Sequence, residues 1–181
     1  VPGSDGSLRP WIAQALGERA DLAELDTVID VGAGAGAWLD YLRGSTGQAR
    51  WVAVEIWPPY VDQFALRQRY DEVIVDDIRY IPLPEAGLYI FGDVIEHMPA
   101  EDAVDLWNRA RRHCQWLVLS LPVCYAPQGA EYGNPSEVHV VHWDTSSVLG
   151  SFAGIVAHTD YQRRNPEDLD MGAFIARGKE P

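Results

Sequence analysis

The sequence predicts an α/β protein: a doubly wound, mostly parallel sheet with helices on both faces, finished by an antiparallel pair of strands. Three observations carry that expectation. Apolar segments rich in Val, Ile and Leu alternate with amphipathic ones, the pattern of parallel strands buried on both faces. The stretch TVIDVGAGAG, residues 27–36, ends a strand in glycines at alternate positions and runs at once into the helix-compatible AWLDYLRG. Near the end, GIVAHTDY and MGAFIARGK are joined by the polar QRRNPEDLD, which reads as two neighbouring antiparallel strands and their loop.

Taken in order, VPGSDGS at residues 1–7 is expected to be a flexible start. Residues 8–25 read as a first helix with Ile12, Leu16 and Leu22 facing inward. Strand one covers residues 27–31, a helix covers 36–42, and strand two covers 51–56. Pro58 and Pro59 are tolerated in a first helical turn, so a helix is expected from there to Tyr70. EVIVDD, residues 72–77, is the short third strand, and residues 88–92 form the fourth. In residues 100–113, Ala103, Leu106, Trp107 and Ala110 repeat with the period of a helix that buries one stripe. Strand five covers residues 116–121, and a short helix begins near Asp144. Residues 122–138 form the longest irregular stretch, and such segments in compact domains tend to carry function.

Composition narrows the function classes. The 181 residues are expected to form one domain, with 47% hydrophobic and 23% charged residues, ordinary for a globular protein. A net charge of -13 argues against a polyanion binder, because nucleic-acid affinity rests on Lys and Arg. Arg109, Arg111 and Arg112 read as a solvated helix face. No apolar run approaches the ~20 residues of a membrane span, and no signal pattern opens the chain, so a cytoplasmic protein is expected. Cys114 and Cys124 flank an apolar run that, extended at about 3.3 Å per residue, holds them beyond disulfide reach. They lack metal-ligand spacing; two reduced thiols and no metal are expected.

The ends of the strands supply the chemistry, because open α/β sheets bind ligands there. Gly32, Gly34 and Gly36, with Ala33 between them, make a turn that lets backbone approach a ligand. Asp30 stands two residues before the first glycine, where an acid would repel pyrophosphate and suits a ligand carrying positive charge. Glu55 ends strand two about 20 residues past the glycines, a spacing at which an acid accepts from ribose hydroxyls. Ile56 and Trp57 follow it, and Trp57 has an aromatic face or edge to offer an adenine. Asp76 and Asp77 end strand three. GDVIEHMP brings Asp93, Glu96 and His97 to the same edge. Each acid alone reads as a turn or cap residue; four strands in register are hard to explain that way.

These residues resemble the class I S-adenosylmethionine-dependent methyltransferases, over nearly the whole chain. Asp30, Gly32, Gly34 and Gly36 match the first motif, Glu55 the ribose acid, and Asp77 with Ile78 the adenine contact. DVIEHMP at 93–99 looks like the signature after strand four in the small-molecule branch, and HVVHWDTSSVLGSF resembles the segment leading to the last helix. The resemblance implies a Rossmann-like seven-stranded sheet, S-adenosylmethionine across strands one to four, and methyl transfer to a nucleophile. Asp30 would reach the methionyl amino group directly, or through water and the turn backbone. The backbone near Asp93 would face the methionyl part. The product would be S-adenosylhomocysteine.

Methyl transfer displaces an activated carbon in line, so alignment matters most, with a general base where the acceptor carries a proton. His97, His139 and His142 are the candidates for that base, and sequence does not choose among them. His113 at a helix end and His158 in a strand read as structural. Tyr125, Tyr132, His139, His142 and Trp143 are the expected acceptor wall. A small molecule, such as a sugar or natural product methylated on oxygen or nitrogen, fits better than nucleic acid. A homodimer that closes the pocket stays open. So do two other functions: a cofactor-binding subunit without activity, and a nicotinamide oxidoreductase, since Gly32, Gly34 and Ala37 also read as GxGxxA. Asp30 and the terminal hairpin count against the oxidoreductase.

Overall fold

The glycine-ended strand, β1 (Thr27–Val31), lies in the interior of one seven-stranded sheet in a computed structural model that describes residues 6–161 and 169–179. It pairs in parallel with β2 (Arg50–Glu55) on one side and β4 (Ala86–Gly92) on the other, Asp30 standing opposite Ala53 and Ile90. β3 (Glu72–Val75) adds to β2, and β5 (Cys114–Pro122) adds to β4, both parallel. β7 (Met171–Arg177) then runs antiparallel to β5, and β6 (Ile155–Tyr161) covers its outer edge, again antiparallel. The order β3-β2-β1-β4-β5-β7-β6 reverses direction of travel between β1 and β4, and a cleft opens there.

Alternation along the strands sends side chains to two apolar layers. Ile29, Val31, Tyr89, Phe91, Leu117 and Leu119 pack beneath α5 (Ala100–His113) and α6 (Thr145–Ser151). Val28, Trp51, Leu88, Ile90 and Val118 pack beneath α1 (Arg9–Gly17) and α2 (Ala37–Leu42). α5 forms because its four inward apolar residues make one stripe, with Glu101 and Asp102 in the first turn and Arg111, Arg112 and His113 in the last. That charge order complements the helix dipole at both ends.

Several sequence expectations need correction. The first helix stops at Gly17, where helix is weakly favoured, and a 3-10 turn (Leu22–Glu24) capped by Asp21 follows. Leu22 is accordingly only half-buried. The helix expected from Pro58 to Tyr70 is two pieces, α3 (Pro58–Gln63) and α4 (Leu66–Arg69), broken at Ala65 with φ 51°. The Phe64 carbonyl, which a continuous helix would commit to Gln68, accepts from the Arg69 guanidinium instead, while Gln68 N–H donates to Ala65. Nor are the α5 arginines merely solvated: Arg109 donates to the Arg79 and Ile81 carbonyls and Arg111 to that of Arg177.

The flexible start falls largely on residues 1–5, and most of the β6–β7 connection on 162–168; both lie outside the described residues. Cys114 is buried, Cys124 is half-buried, and both are free. Among the described residues no helix is long and apolar enough to cross a membrane.

Candidate functional site

A cleft of about 740 Å³ lies over the carboxyl ends of β1 to β4, with the loop after β5 as its far wall. Its floor is the turn after β1. Gly32 has φ +64°, and a Cβ there would stand 2.8 Å from Val94 Cγ2, so this position excludes a side chain twice over. Gly36 is glycine for another reason. It starts α2 at φ +74°, and the space of its missing Cβ is filled by the Arg69 guanidinium, which also bonds the Ala35 and Gly36 carbonyls and Asp40. Gly36 therefore supports the turn from behind, while Gly32, Ala33 and Gly34 line the cleft.

Glu55 is buried at the end of β2, and its two carboxylate oxygens divide their work. Oε2 accepts from Gly34 N–H at 2.9 Å and Oε1 from Trp57 N–H at 2.8 Å. Burial raises its pKa above the usual carboxylate range, and the two N–H donors pull it back. Each oxygen keeps a lone pair for a ligand hydroxyl. Beside it Ile56 is 39% exposed, an apolar surface turned into the cleft opposite buried Ile78. Asp77 lines the same end, and its carboxylate is gripped by Arg79 at 2.6 Å, which holds its pKa low against some burial. Arg79 also pairs with Asp102 on α5 at 2.8 Å.

Three expected cofactor residues stand back from the cleft. Asp30 points to the α1/α2 face, where Tyr70 OH donates to its Oδ2 at 2.5 Å and its Oδ1 is buried without a protein partner. Burial pushes its pKa up to about 7. This geometry does not present the carboxylate directly to a ligand; what remains is action through the turn backbone. Trp57 turns out of the lining because it leads into α3, and Tyr60 one turn later takes the place. Gly36 lies behind the turn against Arg69, outside the lining.

At the other end Asp93 closes β4 with φ 54°, an uncommon backbone state of the kind that clusters at ligand sites, and its N–H donates to Ser120 O at 2.7 Å. A 3-10 turn (Ile95–His97) follows, and α5 begins at Ala100 after Met98 and Pro99. The loop after β5 folds back onto this turn, since the Glu96 carbonyl accepts from both Val140 and Val141 N–H at 2.8 and 3.1 Å. That fold brings His139 to His97, ring centroids 4.8 Å apart, and both line the cleft with Tyr132. Burial pushes His97 down to about 4 and lowers His139, so both rings are neutral near pH 7.

The remaining acceptor-wall candidates are placed otherwise. His142 meets exposed Tyr125 in a tilted ring contact at 4.4 Å between centroids, and neither residue is in the lining. Trp143 is core, buried against Phe152, because residue 143 already leads into α6. His113 pairs with Glu85 at the end of α5, and His158 lies on Phe174 in the outer strand.

Sequence reasoning missed Tyr60, Arg79, Asn134 and Glu137 in the wall. Asn134 is buried and caps a 3-10 turn (Pro135–Glu137) by accepting from Ser136 N–H, and the Asn-Pro pair was its available signal. Arg79 had none beyond its place two residues after Asp77.

Residues 28–115 match the model of a methyltransferase domain. No curated protein matches the chain's sequence significantly. Many solved structures share the fold. One is the N-terminal domain of EvdMO1 in the presence of SAH and D-fucose, at 15% identity and TM-score 0.68, over 98% of this chain and 85% of that one. Another is the Burkholderia thailandensis 1,6-didemethyltoxoflavin-N1-methyltransferase with bound 1,6-didemethyltoxoflavin and S-adenosylhomocysteine, at 16% and 0.68, over 97% and 79%. A third is the N-methyltransferase NodS of Bradyrhizobium japonicum WM9, at 14% and 0.65, over 97% and 99%. Such identities speak for the fold alone. The chain has the fold of S-adenosylmethionine-dependent methyltransferases, and just under half of it, residues 28–115, is similar to a methyltransferase domain.

Proposed function

We propose that this cleft holds S-adenosylmethionine across β1 to β4 and passes its methyl group to an oxygen or nitrogen of a small molecule seated under the loop after β5. The observation that carries the proposal is continuity. One cleft runs from Glu55, Ile56 and Ile78 at one end to His97, Tyr132 and His139 at the other. The residues fit the cofactor. Glu55 has lone pairs for ribose hydroxyls, Ile56 and Ile78 offer an apolar slot to a purine, and the glycine turn exposes backbone. The cleft is rich in acids, Glu55, Asp77, Asp93, Glu96 and Glu137 among them, and its Arg79 is committed to ion pairs. Such a site favours a cationic ligand over a pyrophosphate.

When bound, the cofactor supplies a methyl group already activated by sulfonium. The chain's task is to align the acceptor, shield it from water and take up a proton where one leaves. The D-fucose present with the EvdMO1 domain and the 1,6-didemethyltoxoflavin bound to the Burkholderia enzyme support an acceptor of that size.

Calorimetry tests the donor side: S-adenosylhomocysteine is expected to bind at micromolar concentration and NADH not at all. Glu55→Ala is expected to weaken the former by about 1–3 kcal/mol through lost hydrogen bonds. Tight NADH binding, or an unchanged affinity in the variant, overturns the assignment. Methyl transfer to a panel of sugar hydroxyls and heterocyclic nitrogens tests the acceptor side; binding without transfer to any of them removes the catalytic claim.

A further inference from the structure

Glu96 is 2% exposed, lines the cleft, and neither carboxylate oxygen has a protein partner. A buried carboxylate left unsatisfied is unfavourable unless a positive charge or a proton compensates it. The charges that act on it, Asp93 and Glu137, are both negative. Two imidazoles face it instead. One donor atom each from Glu96, His97 and His139 lie within 4.8 Å of one another.

Both rings are also held in a ligand's tautomer. His97 Nδ1 lies 3.2 Å from the Val138 carbonyl and His139 Nδ1 lies 2.5 Å from that of Ala126. A carbonyl only accepts, so each Nδ1 is the donor in its contact, and the other ring nitrogen is the one turned to a ligand's role. Backbone carbonyls that orient histidines in this way are the usual support of metal-binding imidazoles. Three independent features thus converge: an unpartnered buried acid, two oriented rings, and a loop pinned by backbone bonds to bring them together.

We propose that Glu96, His97 and His139 bind a divalent first-row transition cation at the acceptor end of the cleft. Two imidazoles and one carboxylate suit zinc better than magnesium, which prefers oxygen ligands alone. Methyl donation needs no metal, because the sulfonium already activates the carbon. The ion belongs to the other reactant: three protein donors leave positions open to an acceptor oxygen. That last role rests on the methyl-transfer reading above, whereas the site itself does not. It also departs from the absence of metal expected from sequence, where His139 stands far from Glu96 and His97.

The test is titration of the full chain, without cofactor, with zinc chloride and separately with magnesium chloride, followed by calorimetry. One equivalent of zinc is expected to bind, at least tenfold more tightly than magnesium. Glu96→Gln and His139→Asn are each expected to weaken it by at least tenfold, and His142→Asn to leave it unchanged. S-adenosylhomocysteine is titrated into the same variants: retained binding reports an intact fold and cofactor site. Zinc binding without S-adenosylhomocysteine binding would sink the donor assignment and leave the metal site standing. Absence of stoichiometric zinc binding to the natural chain, magnesium binding as tightly as zinc, or zinc held equally well by Glu96→Gln and His139→Asn would overturn the proposal.

Discussion

Above neutral pH, Asp30→Asn is expected to be more stable than the natural protein, and the difference is expected to close as the pH falls. Asp30 lies almost wholly buried in the α1/α2 layer, and burial raises its pKa from 3.8 to about 7. The folded chain therefore holds a proton there that the unfolded chain releases at a lower pH. Stability from this group is complete below about pH 4 and is lost as the pH rises through about 7, the reverse of an ion-paired carboxylate. The displacement from 3.8 to about 7 corresponds to roughly 4 kcal/mol. Asparagine keeps a carbonyl oxygen for the Tyr70 hydroxyl and cannot ionise. Urea denaturation of both proteins from pH 5 to pH 8 measures the effect as a difference, which cancels the titration of every other group. Parallel stability profiles would show that Asp30 ionises in the fold as readily as in water.

Trp107→Ala is expected to cost about 3–5 kcal/mol of stability, the range for emptying a large aromatic site. Trp107 is 1% exposed on the inward stripe of α5. It meets Phe91 of β4 at 6.0 Å and Phe152, beyond α6, at 5.3 Å, both between ring centroids. Its indole Nε1 donates to the Ala153 carbonyl at 3.0 Å, so one side chain joins the sheet, α5 and the turn that leads to β6. Trp107→Phe keeps ring contact and loses that bond, and a milder cost of about 1 kcal/mol is expected. Denaturant midpoints for the two variants check both values. A loss of less than about 1 kcal/mol for alanine would mean that the layer collapses around the gap.

The two residues show why some of the structure was legible in advance. Trp107 sits on a stripe whose spacing is visible in the chain, and it is where the stripe puts it. The strands were equally plain, since parallel strands buried on both faces are apolar throughout, and the turn after β1 needs glycine wherever it occurs. Asp30 was legible as an acid in front of a glycine turn, but not as a residue facing away from the cleft. Its direction follows from strand alternation combined with which helix covers that face, and Tyr70, its partner, is forty residues distant. The break at Ala65 depends on Arg69 capturing a carbonyl, a contact that helix propensity does not contain. Trp57 and Trp143 carry suitable rings at suitable places in sequence, yet chain direction at the start of α3 and α6 turns them elsewhere.

Local pattern was therefore sufficient for the sheet, its terminal hairpin and the strand-end acids, because each depends on a period or a turn only a few residues long. The make-up of the acceptor end was decided by packing. Glu96, His97 and His139 meet because two backbone N–H groups of the loop after β5 bond to one carbonyl after β4. That pairing is between segments distant in sequence. No short window of residues records it, since hydrogen bonds between backbone groups leave no mark on side-chain identity.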